Sequence, residues 1–129
     1  MEEEKKKMLA EKYAYFQMLL NNMTQQREKI EVNLQEIEAT LEIVSRITKD
    51  EEIVFSLGSN VFGSGKLTSE KFLVNIGLNI LIETNKEKTL EILKRNKEIL
   101  ENNLNEIDKI INQIITEQQK ILNQIQNEK

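Results

Sequence analysis

The residues of this chain that look most like a chemical site are the glycines of GSNVFGSGKLTS, residues 58–69. Three of the four glycines in the chain, Gly58, Gly63 and Gly65, lie in this stretch. Its GSGK tetrapeptide looks like the loop with which nucleotide-binding proteins surround a phosphate. Such a loop would bind ATP or GTP in front of the N-terminus of a helix.

The spacing of this stretch does not fit the phosphate-loop pattern G-x-x-x-x-G-K-[ST]. Counted from Gly58, Ser64 stands where the lysine is required, and Leu67 stands where Ser or Thr would bind Mg²⁺. We therefore interpret residues 58–60 as a hairpin turn. The two later glycines become strand positions that allow a bulge or a close neighbour in a barrel.

The composition of the 129-residue chain excludes most catalytic chemistry, because the chain contains neither cysteine nor histidine. It therefore has no thiol nucleophile, no disulfide, no Cys-based zinc site and none of the usual catalytic triads, and it lacks histidine, the commonest metal ligand and general base. Its acidic residues are scattered along helix faces that we expect to be solvated. We predict a protein that is not an enzyme, with no catalytic residue, no metal site, no cofactor and no bound nucleotide.

Charge and hydropathy narrow the possible partners further. The net charge is −4, and positive and negative residues are interspersed, so no basic stripe is available for nucleic acid. No apolar run approaches the roughly 20 residues that span a membrane. The N-terminus, MEEEKKKMLAEK, is too charged for a secretory signal. These features predict a soluble cytoplasmic protein that binds neither nucleic acid nor membrane.

Two segments on either side of the glycine-rich stretch predict long helices, because they contain no proline and no glycine. Their apolar residues return every three or four positions, from Tyr13 to Val44 and again from Leu90 to Ile125. Such heptad repeats predict an antiparallel coiled coil, in which the numbers of facing residues add up to about 134. The polar exceptions in the repeats are Arg27, Lys97 and Gln118. We interpret the long stems of Arg27 and Lys97 as reaching water at the edge of the pair; the alternative is that polar seam residues fix the register. Gln118 would weaken the seam near the helix ends.

The segment between the helices consists of short runs of β-branched and aromatic residues: IVFSL, VFGSGKL, FLVNI and NILIE. Glycine and polar residues separate the runs, which predicts four short strands in two β-hairpins. The predicted fold class is mostly α with a small β insert, in which two long helices flank the hairpins. We place the helices in residues 1–49 and 84–129 of a single domain, with Thr84 as the N-cap of the second helix and the hairpins in residues 52–83.

Apolar side chains are too numerous in this β segment for a monomer. Two hairpins of this size cannot bury both faces alone, and they leave open edges. We therefore predict that the hairpins bind other subunits. The predicted assembly residues are Ile53, Phe55, Leu57, Val61, Phe62, Phe72, Val74, Ile76, Ile80 and Ile82.

A second group of apolar residues gathers at the far ends of the two helices. It includes aromatic and methionine side chains outside the heptad seam, which would form an adaptable surface for apolar partners. Helix ends fray most easily, so seam residues there could also become exposed. The alternative is scattered surface hydrophobicity, because Val32, Ile99 and Ile110 also lie outside the seam. The predicted binding residues are Met8, Leu9, Tyr13, Tyr15, Phe16, Leu19, Ile115, Ile121, Leu122 and Ile125.

The order of helix, two hairpins and helix resembles the alpha class of the prefoldin family, in particular its archaeal members. The resemblance covers nearly the whole chain. It lies in EEIVFSLGSNVFGSGKL (51–67), the turn TSEK, FLVNIGLNILIE (72–83) and TNKEKTLEILKR (84–95). Beta-class subunits have a single hairpin, so two hairpins fit the alpha class. The pattern consists of strands and turns and contains no invariant catalytic residue.

This resemblance implies an ATP-independent chaperone, or holdase. Prefoldins assemble as hexamers of two alpha and four beta subunits, whose hairpins build intersubunit β-barrels. The distal ends of their coiled coils bind non-native polypeptides and pass them to a group II chaperonin. Carried over to this chain, the client-binding regions would be residues 1–20 and 115–129, and the assembly region residues 53–83. The alternative is a structural coiled-coil oligomer or filament-forming scaffold, because some relatives of the alpha class form filaments.

Overall fold

The computed structural model describes residues 2–127. Its elements are α1 (Glu2–Arg46), β1 (Glu52–Gly58), β2 (Val61–Lys66), β3 (Lys71–Asn75), β4 (Leu81–Asn85) and α2 (Lys86–Asn127). The predicted fold class, two long helices that flank two antiparallel hairpins, is confirmed. The outer ends of the predicted helices, residues 1, 128 and 129, lie outside the described residues.

The chain divides into two compact units. The first, which we call the helical unit, contains the residues up to 34 and those from 99 onward. The second, which we call the hairpin unit, contains residues 35–98.

Within the helical unit, α1 and α2 pair antiparallel through apolar and polar contacts. The Nε of Arg27 donates a hydrogen bond to Asp108 at 2.6 Å, and the side-chain amide of Gln118 donates one to Gln17 at 3.0 Å. In both pairs the residue numbers add up to 135, which agrees with the register expected from the heptads. The buried apolar residues along this seam are Leu9, Leu34, Ile107, Ile114 and Ile121.

The three polar residues of the heptad seam all bind the opposite helix. Gln118 is only 7% exposed, and its side-chain amide donates to Gln17. The stems of Arg27 and Lys97 do reach the edge of the pair, where both side chains are partly exposed. Nevertheless, Lys97 lies 3.7 Å from Glu38 within the hairpin unit, and Arg27 binds Asp108. Polar pairs of this kind at seam positions fix the register of a coiled coil.

The first hairpin turns through two residues, Ser59 and Asn60, which both have positive φ (49° and 63°). Positive φ at both central residues is the mark of a type I′ turn, whose twist matches that of paired strands. The pairing register shifts between Ser56 and Gly58, where Gly58 has φ of 103°. The predicted turn at residues 58–60 is therefore confirmed, with the bulge on the β1 side of it.

The GSGK tetrapeptide lies in β2 and is paired with β1, and no helix follows it directly. Gly63 pairs with Phe55, and Gly65 pairs with Ile53. A Cβ atom at Gly63 would lie 3.0 Å from the ring of Phe55, and one at Gly65 would lie 3.4 Å from it. The two glycines thus make room for a ring from their own hairpin, and the bulge that we expected at them lies elsewhere. An aromatic ring that covers strand glycines in this way compensates for their missing side chains.

The second hairpin turns at Gly77, Leu78 and Asn79, which all have positive φ. The N–H of Ile76 donates to the carbonyl of Ile80 at 3.0 Å, and the N–H of Ile80 donates to the carbonyl of Gly77 at 2.9 Å. This left-handed stretch delays the start of β4 to Leu81. In the described residues the four strands form two separate two-stranded sheets, without a closed barrel.

The N-cap of α2 is Asn85, not Thr84. The side-chain carbonyl oxygen of Asn85 accepts a hydrogen bond from the backbone N–H of Lys88 at 2.7 Å. Thr84 instead pairs with Phe72 in the second hairpin, so the prediction that Thr84 caps the helix is wrong. Both residue types can cap, and strand pairing that extends through Asn85 shifts the start of the helix by one residue.

We expect Asn85→Ala to lower the free energy of unfolding by about 1 kcal/mol, because it removes the acceptor for an N–H group at the helix start. The matched change Thr84→Ala should cost no more than about 0.5 kcal/mol, because Thr84 makes no capping bond. Urea unfolding followed by circular dichroism measures both values. A larger loss for Thr84→Ala than for Asn85→Ala would contradict the assignment.

Candidate interaction surfaces

The first hairpin presents apolar side chains on both of its faces. Cross-strand pairing places Ile53 and Phe55 on one face, whereas Val54 and Phe62 lie on the other. Val54, which was not among the predicted assembly residues, is exposed together with Phe62. A two-stranded sheet that is apolar on both faces cannot bury either face by itself.

The second hairpin has the same two-sided character. Phe72, Val74 and Ile82 share one face and are half-buried, and the opposite face carries Leu73 and Leu81, both exposed. The sequence prediction missed these two leucines because it followed only one face of the strands. Of the ten predicted assembly residues, Phe55, Leu57, Val61, Phe62, Ile76 and Ile80 are exposed, and Ile53, Phe72, Val74 and Ile82 are half-buried.

An open apolar groove of about 530 Å³ lies in the hairpin unit, between the end of α1 and β1. Ile43 and Ile47 line it from the helix side, and Ile53, Val54 and Phe55 line it from the strand side. Next to it, the ammonium group of Lys86 donates to the backbone carbonyl of Ile47 at 3.0 Å and ties the end of α1 to the start of α2. The groove is continuous with the first hairpin, because Ile53 and Phe55 line the groove and lie on one face of that hairpin.

The predicted binding residues at the far helix ends fall into three classes of exposure. Met8, Tyr15 and Ile115 are exposed; Tyr13, Phe16, Leu19, Leu122 and Ile125 are half-buried; Leu9 and Ile121 are buried. The buried pair can meet a partner only if the helix ends open. The exposed residues offer apolar surface without any rearrangement, and the rings of Tyr15 and Phe16 lie against each other at 5.9 Å between centroids.

Met18 belongs to the apolar side chains outside the seam but is not among the predicted binding residues; it is 56% exposed and lies one turn from Tyr15, 55% exposed. Sequence reasoning missed a lack of charge here: residues 13–26 of α1 and residues 110–116 of α2 contain no Asp, Glu, Lys or Arg. A simple scan of charge along the sequence would have found this stretch, because 31% of the chain is charged.

A charged cluster marks the inner limit of this stretch. Arg27 donates hydrogen bonds to Asp108 on α2 and to Glu31 on its own helix. The bond with Asp108 is the main cause that raises the pKa of Arg27 above its ordinary value. The guanidinium group of Arg27 therefore stays charged at neutral pH.

No metal site or membrane span is present in the part of the chain that the structure describes. Residues 2–127 contain no group of three acidic side chains placed to bind a metal ion. Neither α1 nor α2 contains, in its described residues, a stretch apolar enough to cross a bilayer.

Comparisons with known proteins agree on one family. The family model described as "Prefoldin subunit" matches residues 16–129. Prefoldin subunit alpha of Thermoplasma acidophilum is 29% identical over 87 residues, which cover 65% of this chain and 67% of that protein. Two solved structures, each under 25% identical, share the fold.

The first of these structures is the prefoldin beta subunit from Thermococcus strain KS-1, with a TM-score of 0.68 at 19% identity over 95% of this chain and 90% of that one. The second is filamentous PFD from Methanocaldococcus jannaschii, with a TM-score of 0.72 at 14% identity over 89% of this chain and 98% of that one. Both likenesses cover the helices and the hairpins together.

Proposed function

The chain belongs to the prefoldin family, and on this premise we propose that it is a subunit of an ATP-independent chaperone that holds non-native proteins and delivers them to a group II chaperonin. Family membership supports a prefoldin-type chaperone and not an enzyme. The observation that carries the proposal is the exposed apolar surface of the helical unit, which centres on Tyr15 and Met18. A cytoplasmic location fits this role.

Assembly through the hairpins is the first step of the proposed function. Each hairpin has two open strand edges and two apolar faces, so pairing with strands of other subunits would satisfy backbone groups and bury side chains together. We propose prefoldin beta subunits as the partners, two alpha subunits joining four beta subunits in intersubunit β-barrels. The groove beside Ile43 and Phe55 extends the surface that these partners would cover.

Client binding by the helical unit is the second step. Its apolar side chains are few in each subunit, so one subunit would bind an unfolded segment weakly. Several subunits in one assembly would hold the same client with much higher avidity. Release needs no nucleotide, because a chaperonin with more binding surface can take over the client.

Removal of apolar groups from the helical unit tests this function. We expect the double substitution Tyr15→Ser/Met18→Ser to raise the concentration needed to suppress aggregation of an unfolded client at least about tenfold. Full burial of one such side chain contributes roughly 1.5–3 kcal/mol, and about half of each side chain is still exposed for a client to bury. The matched control is Val32→Ser/Ile99→Ser, which removes two other exposed apolar side chains outside the proposed surface. Light scattering of the client measures suppression.

The mass of the assembly, with and without a beta-type partner, completes the test. If the chain is a chaperone subunit, the assembly should keep its mass in both variants, and only Tyr15→Ser/Met18→Ser should lose suppression of client aggregation. A structural scaffold or filament, the alternative function, would show oligomers and no suppression in any variant. Equal losses in the two variants would place the client site elsewhere.

A further inference from the structure

The lack of charge in the helical unit is confined to one band. We call residues 13–26 of α1 and residues 110–116 of α2 the uncharged band. At the average charge content of the chain, 31%, the α1 part alone would contain about four charged residues. The bonds from Gln118 to Gln17 and from Arg27 to Asp108 set the register, which places residues 110–116 of α2 beside residues 19–25 of α1. Residues 13–18 of α1 lie instead beside residues 117–122 of α2.

Charged residues bound the uncharged band on both sides. On one side α1 carries Glu11 and Lys12, one turn before Tyr15, and α2 carries the exposed pair of Glu117 and Lys120. On the other side lies the cluster of Arg27 with Asp108 and Glu31. The band is therefore a local feature of the surface and not a general property of these helices.

The outward face of the band on α1 carries two apolar side chains followed by two amides. Tyr15, Met18, Asn22 and Gln25 follow each other at steps of three and four residues, so they form one stripe along α1. All four are exposed. On α2, Ile115 is 48% exposed, and the nearby amide side chains of Asn112 and Gln113 are exposed as well.

The hydroxyl groups of the band are already used by their own helices. Thr24 donates to the carbonyl of Leu20, and Thr116 donates to the carbonyl of Asn112, both at 2.8 Å. The polar groups that face outward are thus mainly amides. An amide side chain both donates and accepts hydrogen bonds, whereas Lys only donates and an ionised carboxylate only accepts.

We propose that the uncharged band binds extended, apolar client segments of low charge. The client side chains would lie against Tyr15 and Met18, while the amides would pair with the backbone N–H and C=O groups of the client. This inference rests on the proposed function and names the kind of segment that its site takes. It shifts the site from the extreme helix ends to the band.

The physical reason lies in the two needs of an unfolded segment. Covering its apolar side chains also removes water from its backbone, and an unpaired backbone group then costs free energy. Amides can satisfy both backbone groups, and a charged side chain in the same place would itself have to lose water at a larger cost. With no charge to complement, an acidic or basic partner gains nothing from this surface.

Charge introduced into the band provides the test. We expect Asn22→Glu/Gln25→Glu to raise the Kd for a permanently unfolded, fluorescently labelled polypeptide of low net charge by about tenfold. The matched control is Asn33→Glu/Gln35→Glu, which makes the same chemical change at exposed positions of α1 outside the band. We expect the control to change the Kd less than about twofold. Fluorescence anisotropy on the full assembly measures both values.

A second variant separates the amides from the apolar groups. Asn22→Ala/Gln25→Ala keeps the helix, because alanine favours it, and removes only the hydrogen-bonding groups. We expect this variant to bind the polypeptide about threefold more weakly than wild type. The Kd of the wild type should change less than about twofold between 50 mM and 500 mM salt, because no ion pair is involved.

The outcomes distinguish this inference from the proposed function. If the wild-type assembly binds no unfolded polypeptide, the proposed function fails and the inference falls with it. If the wild-type assembly binds, any one of three results overturns the inference and leaves the proposed function standing. The two glutamate variants could have the same Kd, the alanine variant could bind as tightly as wild type, or the wild-type Kd could rise steeply with salt. A changed mass of the assembly in Asn22→Glu/Gln25→Glu would assign the band to contacts between subunits and would also overturn it.

Discussion

Ile114→Ala is expected to lower the free energy of unfolding by about 2–4 kcal/mol, and Ile115→Ala by less than about 1 kcal/mol. The two residues are neighbours of the same type on one helix, but Ile114 is 6% exposed and Ile115 is 48% exposed. Truncation of Ile114 removes buried methyl groups and leaves a cavity in the seam. Truncation of Ile115 removes groups that already face water.

Urea unfolding of the two variants, followed by the helical signal in circular dichroism, measures this difference. The proposed function adds a second contrast, because Ile115→Ala should weaken client binding although it hardly changes stability. Similar losses of stability for both variants would contradict the observed phase of the heptad repeat in α2. A stable Ile115→Ala variant with unchanged client binding would remove Ile115 from the proposed site.

The helices and strands could be predicted from the sequence because their signals are periodic. A heptad repeat from Leu90 to Ile125 specifies a helix, its buried side and its register with few alternatives. The N-cap of α2 is not marked by a repeated signal. Thr84 and Asn85 are adjacent and both can cap a helix, and the strand pairing of Thr84 with Phe72 leaves Asn85 as the cap. Local choices of this kind depend on the tertiary pairing and not on residue type.

The candidate sites were predictable only in part, for a different physical reason. Burial follows from the heptad phase, so Tyr15 is exposed while the adjacent Phe16 is half-buried, although both are aromatic. The predicted site joins Met8, which is exposed outside the seam, with Leu9, which is buried in the seam and is included because helix ends fray. The amides of the uncharged band gave no positive signal, since Asn and Gln are common on helix surfaces. They stand out only once the register places two uncharged stretches side by side.

A substitution at Phe55 should have the largest effect on assembly. We expect Phe55→Ala to raise the Kd of the proposed complex with a beta-type subunit at least about 100-fold, because aromatic residues dominate interface energies. The ring is 44% exposed in the single chain and also covers Gly63 and Gly65. Its loss would remove an anchor and uncover the β2 backbone at the same time. Analytical ultracentrifugation of the mixed subunits measures the Kd.

A double-mutant cycle with Gly63 tests whether the ring and the glycine act as a unit. Gly63→Val alone should weaken assembly about tenfold, since its Cβ atom would lie 3.0 Å and 3.1 Å from two ring carbons of Phe55 and would displace the ring. In the Phe55→Ala background the same valine meets no ring and restores apolar surface on that face, so it should strengthen assembly. The effect of Gly63→Val thus changes sign with the residue at position 55. Ser64→Ala, on the opposite face of the same strand, is the control and should change the Kd little in either background. Additive effects of Phe55→Ala and Gly63→Val would show that the glycine is not there to accommodate the ring.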